Sequence, residues 1–543
     1  MKNRKRLAAI VAGILAVALA VGLLVRQARK TAKGNTENAP AAVLDRRTLE
    51  PVTLLLPTSL ADDVFAKRLA TFVVALDKAS KGAGASPAAA DLAAAEQGLL
   101  GDEAVRGALG DAAVAALREV VIAAKGASRA RVTDEASVTT LDLAVAHLDN
   151  ELLAARLPYF VDASVIITRD RSRRIVLLYG FAIAGTSLYA SGADRVRAVR
   201  LRRLDHLNWS HTVLGFVNLL RAQAVVLLDP IEDQLAKYVL PALAPGAPML
   251  LHRQERADDS RPPSATAAAI GAKAGEVARA ELGGLPGVEA DVARQVGEAL
   301  RERRGLYDQW NRGSTTELGL GVKPPKGLAL DLAAFAQRTE GLVEKSDLET
   351  LQAIQARLEQ PDAGRTYGAL RDAFADSVER HESQHRLDAM THLKMSAAVQ
   401  GVVHGDGPSV ATIRNGVNNE LSAYLAQIAR DPKMPRTTYS LLVRFVVNPR
   451  TRVSSEGIAG VILTEALARE LKVVDVAPLV VNRRLDEERL VRAHRAITDA
   501  KAEDVAAAAR RAWSSLFGRE LLPLDALRTE PERVQVGDGA RDE

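Results

Sequence analysis

The sequence predicts a mainly helical protein with one small antiparallel sheet, an α+β fold class. Long alanine-rich stretches with apolar residues at helical spacing, such as Ala104 to Ala124, indicate helices. Between residues 159 and 204 the pattern changes to runs of β-branched and apolar residues, which is typical of strands. A third observation, an apolar stretch near the N-terminus, adds a predicted transmembrane helix to this fold class.

The apolar N-terminal stretch runs from Leu7 to Val25 and contains nineteen apolar or glycine residues, which is long enough to span a bilayer. Ala18 and Ala20 fit a signal cleavage site poorly, because further apolar residues and then basic residues follow them. We therefore expect a basic N-terminus (1–6), an uncleaved anchor (7–25) and a polar tether (26–45). The expected location is a single-pass membrane protein with its bulk outside the cytoplasm.

The first folded unit is predicted to cover residues 46–245, as a membrane-proximal α+β domain of unknown role. Its early half is helical by alanine content. Three strand-like runs follow, separated by polar turn sequences that suit an antiparallel meander. The runs extend from Tyr159 to Thr168, from Ile175 to Ala190 and from Val196 to Leu204. The segment from Ala222 to Leu243 is predicted to be helical again.

The predicted meander is rich in arginine, and the chain as a whole has a modest net charge of +5. No aromatic residues interleave with these arginines as base-stacking platforms, so we interpret them as a solvated strand face and expect no nucleic-acid partner. The arginines are Arg195, Arg197, Arg200, Arg202 and Arg203.

The remainder of the chain is predicted to be helical. A polar, proline-containing linker (246–266) leads into a second domain (267–440), with helices such as Val277 to Leu282. A C-terminal helical region (441–528) and a polar, disordered tail (529–543) complete the predicted organisation. Oligomeric state is not indicated by the sequence.

The feature that most directly indicates a chemistry is the run His381-Glu382-Ser383-Gln384-His385. On a helix, residues four apart lie on the same face, so His381 and His385 can offer two imidazole nitrogens to one zinc ion. Glu382 lies beside that position, where it can accept a proton from water as a general base. The chain has no cysteine, so histidine and carboxylate must supply the ligands of any metal.

The motif continues an apolar stripe, which predicts that the histidines face the core. The stripe consists of Tyr367, Leu370, Phe374 and Val378. No proline or glycine interrupts residues 369–400, so we expect one unbroken helix there.

The third metal ligand is predicted to be Glu420. It belongs to a second helix, expected from Ser409 to about Arg430, and it shares an otherwise apolar stripe with Tyr424. A buried carboxylate is costly unless a cation compensates it. Asp388 is nearer in sequence, but on a straight helix it lies about 10 Å from His381 along the axis, which is too far for one ion. We expect Asp388 instead to orient His385 or to pair with Arg386.

These two helices resemble the core of a gluzincin-type zinc metallopeptidase over residues 365–430. The resemblance implies that His381, His385 and Glu420 bind Zn²⁺, that Glu382 activates water, and that the substrate is a protein or peptide. Thermolysin-like members carry an aspartate four residues after the third ligand, where this chain has Tyr424.

Several alternatives stay open at this point. His392, His404, Tyr424 and Tyr439 are possible hydrogen-bond donors to an oxyanion, although a packed or surface side chain is the simpler interpretation of each. A ferritin-like di-iron site would need a second Glu-x-x-His pair, which the chain lacks. The rival hypothesis is a membrane-tethered binding or scaffold protein with a structural metal or none.

Overall fold

The computed structural model describes most of the chain beyond residue 63. The described residues are 64–81, 86–168, 170–204, 213–217, 223–251, 264–310, 327–328, 330, 332–339, 343–405, 407–482 and 484–527. The predicted N-terminal segments 1–6, 7–25 and 26–45, the start of the first domain, most of the linker and the tail 529–543 lie outside them.

Helices make up most of the described chain. Those before or beside the sheet are α1 (Val64–Lys81), α2 (Ser86–Leu100), α3 (Glu103–Arg129), α4 (Glu135–Ala154) and α5 (Leu228–Gln234), the last continuing as a π-helical turn (Leu235–Val239) and a 3₁₀ turn (Leu240–Leu243). The later ones are α6 (Ala265–Leu282), α7 (Ala290–Trp310), α8 (Leu332–Arg338), α9 (Lys345–Leu358), α10 (Pro361–Met390), α11 (Ala397–Val402), α12 (Pro408–Arg430), α13 (Pro435–Val447), α14 (Ser455–Glu470), α15 (Glu487–Asp499) and α16 (Ala502–Phe517).

The strands form one six-stranded sheet and a short hairpin within the described residues. The strands are β1 (Tyr159–Ile167), β2 (Arg174–Ser191), β3 (Asp194–Arg203), β4 (Gly215–Val217), β5 (Gln223–Leu227), β6 (Val480–Val481), β7 (Arg484–Leu485) and β8 (Asp525–Ala526). The main sheet has the order β1-β2-β3-β5-β4, with β8 pairing β2, and β6 and β7 form the hairpin.

The predicted meander is confirmed as β1, β2 and β3, which pair antiparallel. The prediction of a purely antiparallel sheet is wrong, because β5 pairs with β3 in parallel, with Val225 opposite Val199. This segment was predicted to be helical. A short run of apolar residues that is covered on both faces has no alternation, so its pattern does not separate a strand from a buried helix.

The membrane part of the predicted fold class is also corrected. No helix among the described residues is long and apolar enough to cross a membrane. The predicted span at residues 7–25 lies outside those residues. The fold is therefore described as mostly helical with one mixed sheet, and the predicted membrane anchor and extracytoplasmic location are withdrawn.

The sheet separates two hydrophobic cores. Val225 and Leu227 of β5 belong to the core that α1, α3 and α4 form with β1 to β3, whereas Val226 between them belongs to the core of the later helices. This alternation is what a strand with both faces covered requires. Helix α10, which carries the His-Glu-x-x-His motif, belongs to the second core and contacts β3, β4 and β5. The sheet of the first predicted domain therefore contacts the motif helix directly.

Helix α10 ends earlier than predicted. It starts with Pro361 at its first position and stops at Met390, ten residues before the expected end at Gln400. His392 adopts a left-handed backbone with φ of 49°, and the Leu393 N–H donates to the carbonyl of Asp388 at 3.0 Å. Those features are the signs of a Schellman-type helix end, for which histidine is one of the more tolerant non-glycine residues.

Candidate metal centre

Two histidines of α10 present the same ring atom to one point. His381 and His385 lie one helical turn apart, and their Nε2 atoms are 3.0 Å from each other. The two rings are nearly perpendicular, with an interplanar angle of 86°. The two Nε2 atoms therefore lie at one shared position.

Glu420 of α12 completes a three-atom group. Its Oε2 lies 3.5 Å from His381 Nε2 and 3.9 Å from His385 Nε2. Ligand atoms arranged tetrahedrally at about 2.0–2.1 Å from a zinc ion are separated by roughly 3.4 Å. The three separations lie on either side of that value, so these residues could hold a metal ion after small adjustments of the side chains.

The second nitrogen of His381 is fixed by a buried hydrogen-bond chain. His381 Nδ1 donates to Gln427 Oε1 at 3.1 Å, Gln427 Nε2 donates to Ser377 Oγ at 3.0 Å, and Ser377 Oγ donates to Asp431 Oδ2 at 2.7 Å. Because Gln427 donates from its amide nitrogen to Ser377, its oxygen must face the histidine. The proton of His381 is therefore placed on Nδ1, which leaves the Nε2 lone pair for a metal.

Burial and the nearby carboxylates act on His381 in opposite directions. Burial lowers its pKa, but the hydrogen bond to Glu420 and the charge of Glu382 outweigh that effect, so its pKa is raised above the ordinary value. The pocket therefore favours positive charge at the point where the three ligand atoms meet.

Glu382 lies next to the three ligands and is almost fully buried, at 5 % exposure. Burial raises its pKa to about 8, with the His381 charge opposing and the Glu420 charge adding to the shift. Among the described residues it has no hydrogen-bond or ion-pair partner. Its side chain packs against Gly215 of β4, where a Cβ atom would lie 2.6 Å from Glu382 Cγ. The absence of a side chain at Gly215 makes room for this carboxylate.

Tyr424 lies one turn after Glu420 and packs edge-on against His381, with ring centroids 4.4 Å apart. Burial, followed by the charge of Glu420, raises its pKa well above the usual range, so its hydroxyl stays protonated. Of the four side chains considered as oxyanion donors, Tyr424 is the one that contacts a predicted ligand.

The other predicted site residues lie elsewhere. Tyr439 is fully buried in α13, where it stacks on His494. His392 and His404 are exposed. Asp388 accepts from Gln384 Nε2 at 2.7 Å and lies 3.7 Å from Arg519. The expectation that Asp388 orients His385 or pairs with Arg386 is therefore wrong.

A buried network of ion pairs and hydrogen bonds, which the sequence did not predict, connects helix α10 to the sheet. Glu379 is fully buried and accepts from Tyr189 Oη and Arg200 Nε, both at 2.6 Å. Arg200 also donates to Asp376 at 2.7 Å, and Arg202 pairs with Glu232. The interpretation of these arginines as a solvated strand face is therefore wrong for Arg200 and Arg202, and also for Arg197, which is 4 % exposed.

The chain matches no protein-family model, no curated protein and no solved structure. The resemblance to gluzincins consequently depends on the motif residues and their arrangement.

Proposed function

We propose that the protein is a zinc-dependent hydrolase of the metallopeptidase type, with Glu382 as its general base. The observation that carries the proposal is the convergence of His381 Nε2, His385 Nε2 and Glu420 Oε2 from two helices. The sequence resemblance to gluzincins assigns the same three residues to the metal and adds peptide bonds as the substrate. A glutamate directly beside the cluster is the further requirement of that chemistry.

The residues that would hold the ion are His381, His385 and Glu420. Two imidazoles and one carboxylate form a donor set that catalytic zinc sites use, with a remaining position for water or substrate. When bound, zinc supplies Lewis acidity, which makes a water molecule acidic near neutral pH and polarises a carbonyl. Among the described residues, the group comprises these three ligands, and Asp388, His392 and His404 are not part of it.

Glu382 supplies the proton transfers in the proposed reaction. Its carboxylate takes a proton from the attacking water, whose oxygen forms the new bond to the carbonyl carbon. The same proton then passes to the amine nitrogen as the C–N bond breaks, so that a carboxylate and an amine are released. Burial makes Glu382 a stronger base, and a cation held by His381, His385 and Glu420 would favour its ionised form.

The hydroxyl of Tyr424 is suited to a supporting role. It remains protonated, and the Tyr424 ring packs against His381, so this hydroxyl is the favoured donor to the negative oxygen that develops on the carbonyl. Tyr439 is not assigned this role because its ring is enclosed between α13 and α15.

The experiment that tests the proposed function uses the full-length, zinc-loaded protein and a complex peptide mixture, with new termini identified by mass spectrometry. The wild type is expected to generate new termini. Glu382→Gln should lose at least about 10³-fold of this activity while keeping its zinc, because the general base is removed and the ligands are not. Full activity in Glu382→Gln would contradict the assigned mechanism. Zinc binding without any hydrolysis by the wild type would favour a structural metal in a binding protein.

A further inference from the structure

Arg386, directly after His385 in α10, is a buried cation without a described partner. Its side chain is 4 % exposed, and it has no hydrogen bond or ion pair with any described residue. Burial by itself lowers its pKa, with no charged group acting on it. The buried arginines Arg200 and Arg202 differ, since each pairs with at least one carboxylate.

A buried guanidinium that lacks a counter-charge is unfavourable, because it has lost water and gained nothing in return. A protein retains such a group when another molecule supplies the anion. The arginine fork matches a carboxylate through two parallel hydrogen bonds, so a carboxylate is the natural partner.

The position of Arg386 on α10 directs it to the sheet side of the helix. It lies one helical turn after Glu382, about 6 Å along the axis, and two turns after Glu379. Residues at these spacings share a face. The Glu379 carboxylate contacts Tyr189 and Arg200 of the sheet, which identifies that face.

Strand β4, at the edge of the sheet, passes over the same part of the helix. At its start, Gly215 lies against Glu382. At its end, Val217 packs against a small apolar cluster that includes Leu387. Along the helix, Arg386 follows Glu382 and directly precedes Leu387.

The guanidinium of Arg386 remains accessible to a small group. The fully enclosed side-chain atoms without a hydrogen bond include Arg380 Nη1 but no atom of Arg386, within the described chain. Because its nitrogens have no described partner, each must keep some contact with solvent. The guanidinium of Arg386 therefore keeps a small solvent-exposed area on the helix face that carries Glu382.

We propose that Arg386 binds a carboxylate of the substrate, either an acidic side chain or a chain-terminal carboxylate, and so selects acidic peptides. This inference rests on the proposed hydrolytic function of the adjacent site. An extended peptide advances by about 3.3–3.6 Å per residue. Because Arg386 and Glu382 are one turn apart on the same face, the bound carboxylate is expected to belong to a residue within a few positions of the bond that is cleaved.

The test measures binding rather than turnover. The full-length, zinc-loaded Glu382→Gln protein is titrated with blocked alanine hexapeptides that carry one glutamate at successive positions, each matched with a glutamine peptide. An alanine hexapeptide with a free C-terminal carboxylate is compared with its amide. At one or two positions the carboxylate peptide should bind at least about 10-fold more tightly. Adding Arg386→Gln should abolish that difference and leave the affinity for the neutral peptides unchanged.

The matched control is Arg380→Gln in the same background. Arg380 lies on the same helix, about 120° away around the axis, and also has an enclosed nitrogen without a partner. It should keep the full preference for carboxylates. A preference that survives Arg386→Gln, or none in the starting protein, would overturn the inference.

Thermal unfolding separates recognition from a structural role. Arg386→Gln should unfold at the same temperature or a higher one, because an uncompensated charge is removed. A fall of more than about 5 °C would show that Arg386 supports the fold instead.

Zinc content and hydrolysis by the wild type are measured in parallel, so that the two proposals fail separately. Zinc and hydrolysis without a carboxylate preference would overturn the role of Arg386 alone. A carboxylate preference that depends on Arg386, in a protein without hydrolytic activity, would overturn the proposed function. Arg386 would then still be a carboxylate-binding residue.

Discussion

Two successive parts of helix α10 carry buried charged side chains, which have partners in the first part and none among the described residues in the second. Around Asp376 and Glu379, each carboxylate is matched with a cation or a hydroxyl from the sheet or from Lys433. In the next two turns, Glu382 and Arg386 are buried with no hydrogen-bond or ion-pair partner among the described residues. The first part holds the helix in place, and the second part is the one for which we propose binding of a metal and a substrate.

The difference shows how a scaffold can hold unsatisfied groups. A buried polar group without a partner costs free energy, and such groups persist at functional sites when the surrounding structure fixes them. The paired charges around Glu379 lie one turn before the site on the same helix. These ion pairs and hydrogen bonds hold α10 against β2 and β3. Glu382 and Arg386 therefore stay buried, because the helix cannot move away from the sheet.

The largest effect is expected from breaking the paired region. Glu379→Ala removes the acceptor of Tyr189 and leaves the buried Arg200 with Asp376 and, at 4.0 Å, Asp372. We expect a loss of about 3–5 kcal/mol in the free energy of unfolding, measured by urea denaturation. Glu349→Ala in α9, which removes an exposed side chain 3.9 Å from the exposed Lys345, should change it by less than about 0.5 kcal/mol. Similar small effects of both variants would show that the paired region does not fix the helix.

A smaller effect is expected from Gln427→Ala, which removes the hydrogen-bond acceptor of His381 Nδ1. Zinc affinity should fall by about 10–100-fold, because the imidazole loses its fixed orientation and tautomer. Competition with a chromophoric chelator measures this change. The exposed Gln400→Ala serves as control and should retain the wild-type affinity. Equal affinities of wild type and Gln427→Ala would contradict the role of the hydrogen-bond chain.

Gly215→Ala tests the space that the edge strand leaves for Glu382. The new Cβ would lie 2.4 Å from the carbonyl oxygen of Val225 and 2.6 Å from Glu382 Cγ, so one of them must move. We expect a loss of about 1–3 kcal/mol in stability and a reduced rate of peptide hydrolysis. Gly305→Ala in α7 has no atom within 4 Å of the added carbon and should be neutral or slightly stabilising. An unchanged rate of hydrolysis in Gly215→Ala would show that the space at Gly215 does not affect Glu382.

A further prediction concerns pH and Asp388, which lies outside both parts. Burial raises its pKa from 3.8 to about 7, so the folded protein holds a proton that the unfolded chain releases between those values. The wild type should therefore lose stability relative to Asp388→Asn as pH rises through this window, and the difference should level off above pH 7. Melting temperatures of the two metal-free proteins at pH 4 to 8 measure it. A difference that does not change with pH would contradict the shifted pKa.

Local patterns in the sequence predicted the helices and the three long strands well. The pattern of α12 also placed Glu420 on the inner face, because apolar residues at helical spacing surround it. The pattern was less accurate at the start of α12, where Ile413 is 44 % exposed. A helical stripe predicts which face is buried but not where the neighbouring element ends.

Other parts of the site had no local signal. Arg200 and Glu379 are separated by 179 residues, so their ion pair could not be inferred from either segment alone. The same holds for Gly215, which acquires its role from a helix far along the chain. Gln427 could have been suspected, since it lies seven residues after Glu420 and therefore on the same face of α12.

The measurement that tests the central claim most directly is the metal content of the purified full-length protein, determined by elemental analysis for the wild type, His385→Ala, Glu420→Ala and the control His392→Ala. We predict about one zinc per chain in the wild type and the control, and none in the two ligand variants. A folded wild type that takes up no zinc when it is supplied, or ligand variants that keep it, would contradict the assigned site.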